Sequence, residues 1–163
     1  MISTEVLLRH MAWSNQKVLA RIAELPDEAL SAYVSDPEWT VGKIIHHFSG
    51  SAGFYDFRLG GENVEHFASV STMNDVKAIL PVLAQYDAKL IAHASAEDRE
   101  LTVQRDGQTI HWQFSTILSQ AVHHATEHRA QIIQALDFRG FTGISLDDYD
   151  LWSYELMLTR GAN

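Results

Sequence analysis

Residues 115–140 read STILSQAVHHATEHRAQIIQALDFRG. Leu118, Ala121, Ala125, Ile132 and Leu136 recur at helical spacing, and Gly140 supplies a stop after Phe138. The spacing predicts an amphipathic helix from about Ser115 to Phe138. One face of it is apolar, and a flank of that face carries His124 and His128, four residues apart and so on one side of the helix. A helix of this kind buries its stripe against other helices.

The rest of the chain supplies them. From about Thr4 to Glu24, Val6, Leu7, Met11, Val18, Leu19 and Ile22 keep helical spacing, with Pro26 beyond. Thr40 is placed as the N-cap of a second helix whose stripe is Val41, Ile44, Ile45, Phe48, Ala52, Tyr55 and Leu59, ended by Gly60 and Gly61. A third runs from about Asn74 to Ala94, where Pro81 predicts a kink or a late start because proline lacks the backbone donor. Between the third and fourth helices, ELTVQRDGQTIHWQF alternates apolar and polar residues about Asp106-Gly107, a dipeptide suited to a type I′ turn. A short fifth helix is expected from about Asp147 to Arg160. The expected fold is all-α: an up-and-down four-helix bundle, residues 1–163 as a single domain, with a small β-hairpin between helices three and four and a short C-terminal helix.

Composition narrows the function. A formal charge of -9 without a basic stripe disfavours a phosphate backbone as partner, so nucleic acid is not expected. With Cys 0, disulfides, thiolate-ligated zinc and a cysteine nucleophile are excluded, and histidines and carboxylates are the ligands left. The opening MISTEVLLRHMAWSNQ lacks a basic region followed by an apolar one, and no long uncharged apolar run occurs. A soluble, cytoplasmic protein with no membrane partner is the expectation.

Helical phase then sorts the nine histidines. On the second helix His47 falls roughly 100° from the centre of the stripe, at its margin, whereas His46 falls roughly 160° away, toward solvent. On the fourth, His128 and His124 lie roughly 60° and 100° off centre on one side, and His123 and Glu127 roughly 160° away on the other. His47, His124 and His128 are therefore the candidates for a three-histidine metal site with room for water or substrate. Gln131 and Gln120 share the flank of His124 and are placed to orient a ligand imidazole. His10, His66, His93 and His111 lack partner spacing and read as solvent or packing residues. Arg129 falls only about 40° from the apolar centre and needs a carboxylate there. The acidic run Asp147, Asp148, Asp150 and Glu155 is the expected donor of it, fastening the tail to helix four.

TVGKIIHHF on helix two, HATEHRAQI on helix four, the terminal DDYDLWSYE and the opening MAWSNQKVL together resemble the DinB family of bundle proteins over essentially the whole chain. The resemblance implies a four-helix bundle, often dimeric, holding a divalent metal by one histidine of the second helix and two of the fourth. Those ligands fall on His47, His124 and His128, with Arg129 and Gln131 completing the motif. Many relatives read HHRGQ where this chain has Glu127, His128, Arg129, Ala130 and Gln131, a departure that leaves the ligand positions intact.

Three functions follow as expectations. The first is a metal-dependent enzyme using Zn²⁺, with Ni²⁺, Fe²⁺ and Mn²⁺ as alternatives, that transfers a low-molecular-weight thiol to an electrophilic small-molecule substrate; metal-assisted hydrolysis is its enzymatic alternative. The second is a non-catalytic homodimeric bundle that binds metal or ligand. DNA binding is the weakest, opposed by the charge.

Overall fold

Among the described residues there are five α-helices, two short 3₁₀ helices and one hairpin: α1 Thr4–Ile22, α2 Val41–Arg58, α3 Met73–Ala92, β1 Glu100–Arg105, β2 Gln108–Gln113, α4 Phe114–Phe138 and α5 Leu151–Arg160, with the 3₁₀ helices at Asp27–Ser31 and Leu146–Tyr149. The computed structural model describes residues 3–61 and 67–161. The predicted hairpin is present, antiparallel, with Asp106 at φ 52 and Gly107 at φ 75. Both central residues of its turn thus have positive φ, the mark of type I′.

The caps explain where helices start. Thr40 accepts from the Lys43 N–H at the head of α2. At α3, Thr72 and Asp75 form a reciprocal capping box that starts the helix at Met73, ahead of Pro81, so the expected late start does not occur and the helix is continuous through the proline. The tail differs as well. Ser145 accepts from the Asp147 N–H and Asp150 from the Ser153 N–H, so a 3₁₀ turn ends at Tyr149 and α5 begins only at Leu151. The Ser153 N–H, which one continuous helix from Asp147 would have bonded to the Tyr149 carbonyl, is captured by the Asp150 side chain instead.

α1 packs on α3 and α4, and α2 packs on the same two, which places α1 opposite α2 across the bundle. Cross-contacts give the directions. Gly42 lies against Val70, Gly53 against Tyr86, and Asp56 against Lys89, so α2 and α3 run parallel. Trp39 reaches Gln131 while His47 reaches His124, so α2 and α4 run antiparallel. The up-and-down alternation is thus interrupted once, by the connection that carries the chain from the end of α2 back to the start of α3.

Two apolar clusters fill the ends. One gathers Val18, Ile22, Ile44, Ile45, Val76, Leu83, Ile132 and Leu136, and the other Leu8, Met11, Leu90, Phe114, Ile117, Leu118 and Ala121. Each such leucine or isoleucine, fully buried, stabilises the fold by roughly 1.5–3 kcal/mol relative to exposure. Between the clusters lies a buried polar layer of Asn15, Asp87 and Arg129. No helix among the described residues is long and apolar enough to cross a membrane.

Candidate metal centre

The antiparallel pairing of α2 and α4 faces His47 toward His124 and His128. The Nε2 atoms of His47 and His124 stand 3.1 Å apart, and those of His124 and His128 3.0 Å. The three donor atoms all lie within 4.8 Å of one another. Nitrogens bound to one tetrahedral zinc ion at about 2.05 Å would be separated by roughly 3.3 Å, so the cluster is close to a ligand set.

His128 is oriented by Gln131. Its Nδ1 lies 2.9 Å from Gln131 Oε1, and the Trp39 indole N–H donates to the same oxygen at 3.2 Å. An amide oxygen that receives the indole proton is an acceptor, so Nδ1 of His128 carries a hydrogen, and in the neutral ring its Nε2 presents the lone pair. This tautomer suits metal binding. Burial, followed by the His128 and His47 charges, pushes His124 down to about 4. Burial, His128 and His46 lower His47 as well. Both are therefore neutral imidazoles at pH 7, the form that ligates.

The donors grade from surface to interior: His47 is exposed, His124 half-buried and His128 buried. Aromatic rings wall them in. Trp39 stands edge-on to His47 and His128 at 5.4 and 5.9 Å, and Tyr55 edge-on to His124 at 5.8 Å. Burial raises the Tyr55 hydroxyl, which is bonded to Gln120. Of the two glutamines expected to orient a histidine, Gln131 does so and Gln120 is engaged by Tyr55 instead.

His123 and Glu127 are exposed, as their phase requires. His46 is not a solvent residue: it is half-buried, and its Nε2 lies 3.0 Å from the Phe67 carbonyl. Helical phase registers neighbouring helices but not a loop folded over the outer flank. His10 is buried, with its Nε2 2.8 Å from the Tyr149 carbonyl; His93 lies near Asp56, and the exposed His111 near Glu100. His66 lies outside the described residues.

Arg129 is buried as its phase predicts, but the tail acids do not meet it. It donates to Asn15 Oδ1 at 2.5 Å and to Thr126 Oγ1, and Asn15 in turn donates to Asp87 Oδ2 at 3.1 Å. The carboxylate it needs is thus Asp87 of α3, reached through Asn15. Burial lowers Arg129 to about 10 and raises Asp87 to about 7, each opposed by the other's charge. The tail is held differently, by Ser14 Oγ donating to the Tyr149 carbonyl at 2.8 Å. Asp87 was legible: Leu83, Asp87 and Leu90 keep the spacing of a buried stripe, so an acid there is as anomalous as Arg129. Trp39, ahead of the α2 N-cap, has no periodic signal.

No curated protein matches the chain. Among solved structures, a DinB-like protein from Bacillus cereus ATCC 10987 is similar, with a TM-score of 0.62 over 84% of this chain and 92% of that one, at 17% identity. That likeness speaks for the fold. The sequence itself matches the DinB family over residues 1–157, which takes in the Thr40 cap, both histidine helices and the start of α5, and on this match the chain belongs to the DinB family.

Proposed function

We propose that the protein is a metal-dependent enzyme in which His47, His124 and His128 hold a divalent ion, Zn²⁺ first, with Ni²⁺, Fe²⁺ and Mn²⁺ as alternatives. The observation that carries the reading is the convergence of three Nε2 atoms at a rim where His47 is exposed, so that incoming molecules can reach the cluster. A bound ion of this kind lowers the pKa of a coordinated thiol or water toward neutrality and so supplies a nucleophile. His128 is kept in its ligating tautomer by Gln131, and Trp39 and Tyr55 limit water at the flanks.

The reaction we favour is transfer of a low-molecular-weight thiol to an electrophilic small molecule. Among the described residues no carboxylate joins the histidine cluster to act as general base, which hydrolysis by water demands more than reaction of the more acidic thiol does. With no cysteine in the chain, the thiol has to arrive from outside. Metal-assisted hydrolysis is the enzymatic alternative, and a non-catalytic bundle that binds metal or ligand is the other. The same reading takes the protein to be a cytoplasmic homodimer; what supports the dimer is the outward apolar side chains of α5, with Trp152 79% exposed and Leu156 53%.

Metal analysis of natively purified wild type and His124→Ala is the first test. Stoichiometric metal in the wild type, lost in the variant with little change in melting temperature, supports the site; metal-free wild type overturns it. Turnover of an electrophile with a panel of low-molecular-weight thiols is the second. A rate indifferent to every thiol rules out transfer.

A further inference from the structure

Beside His124 lies a small, partly open cavity of about 10 Å³, the least that holds one water molecule. Its polar lining comes from four side chains, His124, Asp87, Asn15 and Tyr55, and Ala52 closes part of it from α2. The Nε2 of His124 is committed to the donor cluster, so Nδ1 is the ring nitrogen left to bond elsewhere. Metal-bound histidines almost always donate that second N–H to a carboxylate, a carbonyl or a water. Gln131 fills this role for His128. For His124, the buried carboxyl in the cavity lining is Asp87.

We propose that Asp87 is a positioning residue for His124, acting through a water molecule held in this cavity. The His124 Nδ1–H donates to the water, and the water donates to an Asp87 carboxylate oxygen. Asp87 has acceptor capacity to spare, since Asn15 Nδ2 occupies it from one side only, at 3.1 Å to Oδ2 and 3.4 Å to Oδ1. Asn15 is held in that orientation because its own oxygen accepts from Arg129. The buried polar layer then has a purpose beyond packing. Arg129, next in sequence to the ligand candidate His128, fixes Asn15, Asn15 fixes Asp87, and Asp87 fixes the imidazole of His124 from behind. A site near the protein surface would gain its rigidity from the core.

This inference rests on the metal-site reading, and the test separates the two. Metal-free wild type, Asp87→Asn and Ala52→Val are titrated with Co²⁺, read by its visible absorption, alongside thermal melts of each metal-free protein. Ala52→Val fills the cavity and leaves Asp87, Asn15 and Arg129 in place. Both variants are expected to bind Co²⁺ more weakly by roughly 10- to 100-fold, the usual cost of losing a partner behind a ligand, and Ala52→Val to do so while its metal-free form still melts cooperatively, at a temperature lowered only by the overpacking of Ala52. Wild-type affinity in Ala52→Val overturns the water bridge, and wild-type affinity in Asp87→Asn overturns the role of the carboxylate. If Asp87→Asn does not fold, Ala52→Val decides alone. A wild type that binds no Co²⁺ refutes the metal site itself, a different failure from a wild type that binds it and variants that bind it equally well.

Discussion

Replacing Asp87 by asparagine is expected to change how the stability of the metal-free protein depends on pH. Burial raises this carboxyl from 3.8 to about 7, against the lowering pull of Asn15 and Arg129. A carboxyl whose folded pKa lies above its unfolded one keeps its proton in the native state while the unfolded chain has already released it. Its stabilising contribution is complete below the unfolded value near 3.8 and is lost as pH rises through about 7. At about 1.4 kcal/mol per pH unit, the loss amounts to about 4 kcal/mol across that window. Asparagine has nearly the same shape and cannot ionise, so the variant omits this slope. Below about pH 7 the folded wild-type carboxyl is itself neutral, so the variant removes no counter-charge from Arg129 there, and above it the pull of Arg129 is already contained in the raised value. Urea unfolding of both proteins with a chelator present, at steps from pH 4.5 to 8, reads the difference directly. The variant is expected to gain on the wild type as pH rises, approaching the limiting slope in the middle of the range. Parallel curves would refute the reasoning. A wild type that gains on the variant with pH would show that Arg129 keeps Asp87 ionised in the folded state and that the pair outweighs its burial.

Three further outcomes are expected. Gln131→Ala releases Nδ1 of His128 and should weaken Zn²⁺ or Co²⁺ binding by roughly 10- to 100-fold. Adding Trp39→Phe should cost little more, because the indole N–H acts through Gln131; additive losses in a calorimetric titration would contradict that path. Gly42→Ala should destabilise by about 1–3 kcal/mol in urea, since its new Cβ would stand 2.6 Å from the Val70 carbonyl oxygen, a backbone atom that cannot swing aside. A stabilised variant would show that the α2–α3 connection yields freely. Trp152→Asp, at a side chain 79% exposed, should leave the stability of the single chain within about 0.5 kcal/mol while shifting the molecular weight from dimer to monomer by light scattering. A wild-type protein that is already monomeric removes the proposed homodimer.

The periodicity of five segments was enough to count the helices, and Asp106-Gly107 was enough to place the hairpin, because both signals are local: a buried stripe recurs with the helical turn, and a type I′ turn needs two residues that tolerate positive φ. Phase also selected His47, His124 and His128 from nine histidines, since a residue at the margin of a buried face is the one that meets a neighbouring helix. The same logic marked Arg129 as buried. Phase marks Asp87 as an acid on a buried stripe but does not join the two, because only the packing of α1 and α3 brings Asp87 to Arg129 through Asn15. His46 shows the complementary gap: its partner is a loop carbonyl at Phe67, and loops have no phase to read.

What the sequence determined alone was therefore each helix, its inward face and the three imidazoles able to leave that face together. Tertiary structure decided their use: that α2 and α3 run parallel, that α4 lies antiparallel to α2 so that residues 77 positions apart bring their Nε2 atoms to 3.1 Å, and that a charged layer crosses the core behind them. The reason is physical. Helical phase is written by neighbours three and four residues away, whereas the choice of partner depends on how whole faces fit and on which buried charges can be satisfied at once.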